Sequence, residues 1–311
     1  PSQLADALGK VDVGDAAHVA LLVGGVAENG PHAAEIRLAA AAFAARTGAR
    51  VCRIPQGANA LGLSSYGVLP ATRDAQAMLR APRSAYVIHG IEPGLDFADQ
   101  HLALKALGEA QVVSFSQFAC SSTRAVADVI LPIAALPEID ATLTNLDGFI
   151  QQCSAAGKAP GEARSGWRVL RALADVMSLP GFEFTELIGL RASMTVKDMQ
   201  PSKGLAPAMS GGGLEVVVSQ AIYRVDGVVR RAQALQAHPL NVGPRAVLNP
   251  ADAGLAGICD AAMGKFATGV GSAVLQVVLD DGVAPGCVWI ESGYGATAPL
   301  AASGHAEISQ S

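Results

Sequence analysis

The sequence predicts an α/β fold in which a doubly wound, mostly parallel sheet with helices on both faces is followed by a small C-terminal β-barrel domain. Two observations predict the sheet: short continuous apolar runs recur along the first half, and helix-length segments separate them. A third predicts the barrel, because apolar runs bounded by glycine and Asp-Gly turns dominate after residue 214. The predicted sheet strands are 18–24, 50–54, 84–89, 111–115 and 127–131.

Length and composition favour two domains. The chain has 311 residues, of which 50% are hydrophobic and 16% charged, so it can bury two cores and is too apolar to be disordered. We divide it into an α/β domain, a linker rich in proline and glycine, and the barrel domain. The boundaries are 1–180, 181–213 and 214–311.

The segments between the strands are assigned from caps and breakers. A helix is expected at 2–8, and a long helix opens after Asn29-Gly30-Pro31 and stops at Gly48. Residues 56–70 contain three glycines and are predicted as a loop of the length that often carries function. Further helices are expected at 71–79 and 97–108.

After the fifth strand comes a polar turn at 145–148, then a helix with one apolar stripe that is more typical of core packing than of a binding site. The stripe comprises Trp167, Leu170, Leu173 and Met177. In the linker we expect a helix at 183–191, and the breakers are Pro201, Pro207 and the triplet 211–213.

The barrel half ends with a hairpin signal and a tail. Asp280-Asp281-Gly282 separates the apolar runs 272–279 and 286–292, which predicts a hairpin between them. Residues 304–311 are expected to fray.

Charge and hydropathy exclude several classes of function. A net charge of -5 without a basic run argues against nucleic acid as a partner. No apolar stretch approaches the roughly 18 residues of a spanning helix, so direct membrane insertion is not expected. The five cysteines are isolated, which favours a reducing compartment and argues against a cluster or zinc site in this chain.

Catalytic motifs are missing from the sequence. The glycines Gly24, Gly25 and Gly30 do not form a dinucleotide fingerprint, and the histidines lack metal-ligand spacing. Glu138, Asp140 and Asp147 are close in sequence, but their surroundings are typical of turns rather than of acid-base pairs. We therefore assign no catalytic residue and no metal ligand.

Three ordered motifs do resemble a known family. They are Ala127-Asp-Val-Ile-Leu-Pro, then Glu138-x-Asp-x-Thr-x-x-Asn-x-Asp-Gly-x-x-Gln151, then Pro160-Gly-Glu-Ala-Arg-x-x-Trp-x-x-Leu170. Together they resemble the molybdopterin oxidoreductase superfamily, and within it most closely the branch formed by the G subunit of NADH-quinone oxidoreductase, respiratory complex I. Leu248-Asn-Pro-Ala-Asp-Ala253 is similar to part of the molybdopterin-dinucleotide-binding barrel that closes such proteins.

The resemblance implies a cofactor cleft with candidate residues at its rim, and the sequence departs from the family pattern there. Glu92 stands before Pro93 where the family has asparagine, and Phe149 stands where it has arginine. A gained carboxylate and a lost cation disfavour binding of phosphates, so we expect a vestigial cleft without cofactor. Its candidate residues are Asn59, Gly90, Glu92, Glu138, Thr142, Asn145, Asp147 and Gly148.

The resemblance further implies a structural, subunit-binding role in the peripheral arm of complex I, whose parent assembly passes electrons from NADH to quinone. The expected partners are other complex I subunits, on the cytoplasmic side of a bacterial inner membrane or the matrix side of a mitochondrial one. A parent subunit would carry [2Fe-2S] and [4Fe-4S] clusters before Pro1, so the chain is interpreted as a C-terminal part of a longer protein. Two alternatives are a fragment of a formate-dehydrogenase-like molybdopterin enzyme and an independent nucleotide-binding dehydrogenase.

Overall fold

The computed structural model describes residues 2–70, 72–196, 212–301 and 304–311. Its first half alternates short strands with helices, which confirms the predicted α/β class. The strands are β1 (Ala20–Val23), β2 (Arg50–Arg53), β3 (Ala85–His89), β4 (Gln111–Ser116) and β5 (Val129–Pro132). The helices are α1 (Ser2–Lys10), α2 (Gly25–Asn29), α3 (Ala33–Thr47), α4 (Ala60–Ser65), α5 (Ala75–Arg80), α6 (Gln100–Gly108) and α7 (Ser121–Val126).

A hairpin and two helices follow β5. The hairpin consists of β6 (Ala141–Thr144) and β7 (Ile150–Cys153), joined through the predicted polar turn. Helix α8 (Gly166–Val176) and helix α9 (Leu187–Ser193) complete this half. The α8 stripe is only partly buried, since Leu170 and Met177 are 39% and 58% exposed. Helix α9 lies in the segment predicted as a linker, whereas Pro201, Pro207 and Gly211 lie outside the described residues.

The five parallel strands form two separate sheets rather than one. Strands β1 and β2 pair with each other, and β3, β4 and β5 form a second sheet in that order. Between β2 and β3 the chain runs through α4 and α5, which pack against β6 and α6 respectively. These helices lead the chain away from β2, so the edge of β2 is not extended by β3.

The three-stranded sheet is packed on one face by α6 and α7. Ile88, Val112, Leu107 and Val126 form this core, in which Val112 and Leu107 are completely buried. The opposite face is more open, because Val87 on β3 and Val129 on β5 are 59% and 46% exposed. Both pair in register with Val113 on β4.

Helix boundaries follow local chemistry. Helix α3 ends at Gly48, whose φ of 72° is the left-handed conformation that glycine adopts readily, and whose N–H donates to Ala44 O. Helices α5 and α6 are capped by Asp74 and Asp99, which accept hydrogen bonds from the backbone N–H groups of Ala77 and Leu102. These two helices begin three to four residues later than predicted because the caps, not the first apolar residue, set their starts.

The prediction of a loop at 56–70 is wrong over residues 60–65, which form α4. Tertiary packing explains the helix. Asn59 Oδ1 accepts a hydrogen bond of 2.8 Å from Thr144 N on β6, and Gly62 lies beneath this bond. A Cβ atom at Gly62 would lie 2.2 Å from Asn59 Oδ1, so glycine is what allows α4 to approach the hairpin.

The second half is a closed six-stranded barrel, as predicted. In chain order its strands are β8 (Leu214–Gln220), β9 (Arg245–Leu248), β10 (Met263–Ala267), β11 (Ser272–Leu279), β12 (Cys287–Ser292) and β13 (His305–Gln310). Around the barrel the order is β10-β11-β9-β12-β8-β13, and β13 closes it onto β10. Alternate residues of these strands point inward, and Phe266, Leu248 and Leu275 are at most 2% exposed.

Two expectations for the barrel half are wrong. The Asp280-Asp281-Gly282 turn does not join a hairpin, because β9 lies between β11 and β12 and pairs with both. Residues 305–310 are not a frayed tail but β13, in which Ala306 is completely buried. The short sequence of β13 does not predict a strand. Its pairing with β8 and β10 is what makes it part of the barrel.

Within the described residues, no helix is long and apolar enough to cross a membrane.

Candidate functional site

A cavity of about 1140 Å³ lies where the ends of the parallel strands face the barrel. Its α/β wall is formed by backbone after β1, β2 and β3, including Gly24, Gly25 and Gly90, and its barrel wall by β8. Side chains of β8 alternate, so Val216 points into the barrel core while Glu215 and Ser219 lie on the outer side that faces the cavity. The carboxyl ends of parallel strands thus provide the cleft, as the sequence predicts.

The charges that line this cavity are mostly negative. Among the described residues its lining contains three carboxylates, Asp96, Glu215 and Asp226, and one arginine, Arg230. One carboxylate oxygen of Asp226, Oδ1, already accepts a hydrogen bond of 2.8 Å from the backbone N–H of Val229. The cavity therefore offers an anion little uncompensated positive charge.

Arg230 is held by two carboxylates of the α/β half. Its Nη1 donates to Glu92 Oε2 at 2.7 Å, and its Nη2 contacts Asp96 Oδ1. The Arg230 side chain is 4% exposed and that of Glu92 is 8% exposed. Burial acts to lower the pKa of Arg230, but the hydrogen bonds to Asp96 and Glu92 outweigh it and raise that pKa above its usual value, so the guanidinium stays charged.

Arg231 completes what we call the latch, the cluster of Glu92, Asp96, Arg230 and Arg231. Its Nη1 lies 2.6 Å from Glu92 Oε1 as an ion pair and donates to Gly227 O at 2.8 Å. Its guanidinium also stacks 4.1 Å from the centre of the Phe118 ring, which follows β4. The latch joins the loop after β3 to the short helical turn Val229–Arg231 that lies between β8 and β9, and so joins the two halves beside the cavity.

A second buried carboxylate, Glu28, organises the turn after β1. Arg53, which ends β2, donates to both oxygens of Glu28 at 2.7 and 2.8 Å, and Arg37 on α3 donates to Oε2 at 3.2 Å. The hydrogen bonds from Arg53 are the main reason that the pKa of Glu28 lies below its usual value. In turn Glu28 raises the pKa of Arg53. Arg37 and Arg53 therefore share a single carboxylate.

We expect Glu28→Gln to lower the free energy of unfolding by about 1–2 kcal/mol at pH 7, since both arginines are partly exposed and their hydrogen bonds are screened by solvent. Because the pKa of Glu28 is lower in the folded state, its stabilisation is full above the unfolded value of about 4.3 and is lost as the pH falls through the folded value. The difference in unfolding free energy between wild type and variant, measured in urea, should therefore be full at pH 7 and shrink progressively as the pH falls below about 4.3. Glu162→Gln, at a side chain that is 90% exposed, is the control and should change little at either pH.

The residues predicted at the cleft rim fall into separate places. Gly90, with a φ of 65°, lines the cavity, and Glu92 two residues later belongs to the latch. Glu138 is engaged elsewhere, since its Oε2 accepts a hydrogen bond from Ala135 N at the start of a short 3-10 helix. The other five lie at or next to the β6–β7 hairpin: Asn59, Thr142, Asn145, Asp147 and Gly148.

Asn145 and Gly148 stabilise the turn between β6 and β7. Asn145 Oδ1 accepts hydrogen bonds from Asp147 N at 3.0 Å and Phe149 N at 2.9 Å, and Gly148 has a φ of 84°. The Asp147 carboxylate has no hydrogen bond to a described residue, and the Phe149 side chain is 68% exposed. This turn does not line the cavity.

Sequence reasoning missed Arg230, Arg231, Asp96 and Phe118. The adjacent arginines carry no recognisable signal, since they meet the buried Glu92 only through a contact that spans more than a hundred residues. Within one sequence such a contact has no spacing rule. No group of three or more His, Cys, Asp or Glu side chains in the described ranges is close enough to hold a metal ion.

The phosphate-bearing molybdopterin that the resemblance implies can be tested against these groups. Arg230 is paired with Glu92 and Asp96, and the other Asp, Glu, Lys and Arg side chains that line the cavity in the described residues are the carboxylates of Glu215 and Asp226. Placing a phosphate there would bring like charges together in a partly desolvated cleft. The residues present do not fit an anionic cofactor in this cavity.

Comparison with known proteins places this geometry in a family. Residues 5–176, more than half of the chain, match the family described as molybdopterin oxidoreductase. The chain is 42% identical over 64 residues to the 75 kDa subunit of NADH-ubiquinone oxidoreductase of Reclinomonas americana, which is 20% of this chain and 9% of that protein. It is 32% identical over 90 residues to the alpha subunit of a formate dehydrogenase of Methanococcus maripaludis, which is 29% of this chain and 13% of that protein.

Among solved structures, acetylene hydratase from Pelobacter acetylenicus is similar in fold, with a TM-score of 0.51 and 17% identity. That match covers 76% of this chain and 44% of the hydratase. The matched segments are thus a small part of the curated relatives and less than half of the solved one. The parallel sheets followed by a closed barrel agree with the family match. The chain belongs to the molybdopterin oxidoreductase family.

Proposed function

We propose that this chain is a structural and subunit-binding module of the peripheral arm of an NADH-quinone oxidoreductase, complex I, and that it has no redox centre of its own. The observation that carries the proposal is the latch, in which Glu92 and Asp96 neutralise Arg230 beside the cavity. A cleft whose cations are already paired with the chain's own carboxylates is suited to holding its walls together rather than to binding a phosphate-bearing cofactor.

The likeness to an NADH-ubiquinone oxidoreductase subunit supports the choice of assembly. In such an assembly the parent complex passes electrons from NADH to quinone, and any [2Fe-2S] and [4Fe-4S] clusters would be held outside this chain. The module itself would bind neighbouring subunits on the cytoplasmic or matrix side of the membrane.

The likeness to a formate dehydrogenase alpha subunit favours a second candidate, a part of a molybdopterin-dependent enzyme. One experiment separates the two. The protein is purified from cells supplied with molybdate and tungstate, analysed for Fe, Mo and W, and oxidised in acid to release any fluorescent pterin. We expect less than 0.05 mol of metal or pterin per mol of chain.

A stoichiometric amount of molybdenum or tungsten with pterin would contradict the structural role and favour the enzyme. Stoichiometric iron without pterin would contradict the absence of a redox centre while leaving the enzyme unsupported. Glu92→Asn, which frees part of the positive charge of the latch, is the matched variant. If the carboxylates are what exclude an anion, this variant should bind inorganic pyrophosphate more tightly than wild type in calorimetric titration.

A further inference from the structure

The segment between β8 and β9, residues 221–244, connects the barrel to the latch, and we call it the strap. It contains two short 3-10 turns, Ile222–Arg224 and Val229–Arg231, followed by the helical turn Gln233–Gln236. The second 3-10 turn carries the arginines of the latch, and the strap also forms part of the cavity wall. Helical turns this short are not stable by themselves. The contacts that hold them therefore decide where Arg230 lies.

On the barrel side, both ends of the strap are fixed to the residues that follow β12. Arg224 Nε donates to Gly293 O at 2.7 Å, and the guanidinium lies 4.6 Å from the centre of the Tyr294 ring. Gly293 allows this approach, because a Cβ atom there would lie 3.0 Å from Arg224 Cβ and O. Tyr294, which is 7% exposed, donates from its hydroxyl to Asn241 Oδ1 at 2.7 Å. The strap is thus anchored to the barrel near its start and near its end.

Gln236 lies at the centre of the strap. Its Oε1 accepts a hydrogen bond of 2.7 Å from Arg224 Nη1. Its Nε2 donates to Tyr223 O and Val229 O, both at 2.8 Å. One side-chain amide thus binds both 3-10 turns and the arginine that anchors the strap. Because the carbonyl of Val229 directly precedes Arg230, Gln236 fixes the backbone from which the Arg230 side chain projects.

Arg230 connects the strap to the α/β half. Its Nε donates to Arg224 O at 3.1 Å inside the strap, while its other two nitrogens bind the carboxylates of the latch. Gly227 lets the strap come this close, because a Cβ atom there would lie 3.2 Å from Glu92 Oε1. In the described ranges the side-chain partners of Gln236 all lie within the strap. Any effect of Gln236 on the loop after β3 therefore acts through Arg230.

We propose that Gln236 is a positioning residue for the latch, and that the strap is a fixed extension of the barrel. With Gln236 in place, Arg230 is directed at Glu92 and Asp96 and the two halves stay closed around the cavity. Without its amide the turn at Val229 loosens, and Arg230 leaves its carboxylates more often. Coupling between distant groups needs an element with two discrete arrangements, and here that element is the latch, made or broken. This goes beyond the role proposed above and holds whichever assembly contains the chain.

Amide hydrogen exchange of the full chain, followed for single residues by NMR, tests the proposal. The reporters are Leu95 and Asp96, whose N–H groups donate to Glu92 O at 2.9 and 3.0 Å within the loop that the latch holds. The control amide is Gln111 N, which donates to Ser84 O at 3.0 Å at the opposite end of the same sheet. The reporters and the control amide all lie in the α/β half, whereas the substitution is made in the strap.

Gln236→Met keeps the length of the side chain and removes its hydrogen bonds. The carbonyls of Tyr223 and Val229 then lose a donor, and we expect exchange at both reporters to become about tenfold faster. Exchange at the control amide should change less than about twofold. Gln233→Met, at an exposed position three residues earlier in the same helical turn, is the matched control and should leave both reporters unchanged.

A double variant with Glu92→Gln shows whether the effect passes through the latch. Glu92→Gln removes one charge partner of Arg230 and leaves the backbone hydrogen bonds of the loop in place. In this background Gln236→Met should speed exchange at the reporters less than about threefold, because the contact that it disturbs is already weakened. A role of Gln236 confined to the strap would keep the full effect.

Tyr294→Phe is a milder variant, since it removes the hydroxyl that binds Asn241 and keeps the ring beside Arg224. We expect exchange at the reporters to become about two- to threefold faster, and this effect to disappear with Glu92→Gln. If circular dichroism shows that Gln236→Met does not fold, Tyr294→Phe decides the question by the same comparison. No acceleration at the reporters, equal acceleration at the control amide, or an undiminished effect in the Glu92→Gln background would overturn the proposal.

Discussion

Glu92→Ala should lower the free energy of unfolding by about 3–5 kcal/mol, because it leaves Arg230 buried with Asp96 as its remaining carboxylate. The side chains of Glu92 and Arg230 are 8% and 4% exposed, so solvent cannot easily replace the lost partner. Urea unfolding measures the change. Glu92→Gln, which keeps a hydrogen-bond acceptor, should cost less than Glu92→Ala.

The same variant tests whether the latch couples the two halves. The chain has two tryptophans, Trp167 on α8 and Trp289 on β12, so one reports on each half. In wild type we expect their fluorescence transitions to coincide, and in Glu92→Ala we expect them to separate. Asp175→Asn breaks the exposed pair between Arg171 and Asp175 and serves as control, with a loss below about 0.5 kcal/mol. A loss below about 1 kcal/mol for Glu92→Ala would show that the latch does not hold the halves together.

Phe266→Ala should cost a similar amount, about 3–5 kcal/mol, but for a different reason. Phe266 is completely buried at the centre of the barrel, where its removal leaves a cavity that the surrounding strands cannot fill. The effect is measured in the double variant Glu92→Ala/Phe266→Ala, because the two halves are expected to unfold separately in Glu92→Ala. Phe266→Ala should shift the unfolding transition followed by Trp289 and leave the one followed by Trp167 nearly unchanged. Val274→Ala, on the outer face of the neighbouring strand β11 and 47% exposed in wild type, should cost less than about 1 kcal/mol. Equal losses for the two substitutions would contradict the assignment of Phe266 to the core.

Local signals in the sequence were sufficient for much of the fold. Apolar runs placed the five parallel strands, and Gly48 marked the end of α3 because its left-handed conformation is a local property. Turn chemistry predicted the turn from Asn145 to Gly148 for the same reason, although the strands β6 and β7 that it joins were not predicted. These features depend on residues a few positions apart, which a single sequence shows directly.

Features that depend on distant residues were not predicted. Helix α4 depends on Gly62 fitting against Thr144, and β9 enters between β11 and β12, although the turn at Asp281 is typical of a hairpin. The division of the parallel strands into two sheets likewise depends on where α4 and α5 pack.

For the candidate site the sequence indicated that Glu92 departs from the family pattern, but it did not indicate which residues Glu92 contacts. The unfavourable effect of a carboxylate on anion binding could be argued from charge alone. Its pairing with Arg230 could not, because the packing of the two halves brings together residues that are far apart in sequence. The prediction of a vestigial cleft therefore identified one side of the latch and missed the other.

The closing strand β13 has a consequence for how the protein is made. Leu214 on β8 pairs with Ala306 on β13, so the barrel cannot close until β13 has left the ribosome. Until then Phe266 and its neighbours expose an apolar interior to chaperones and to other nascent chains. We expect truncation of the chain before His305, which removes β13 and its buried Ala306, to leave the barrel open and the chain prone to aggregation in the cell.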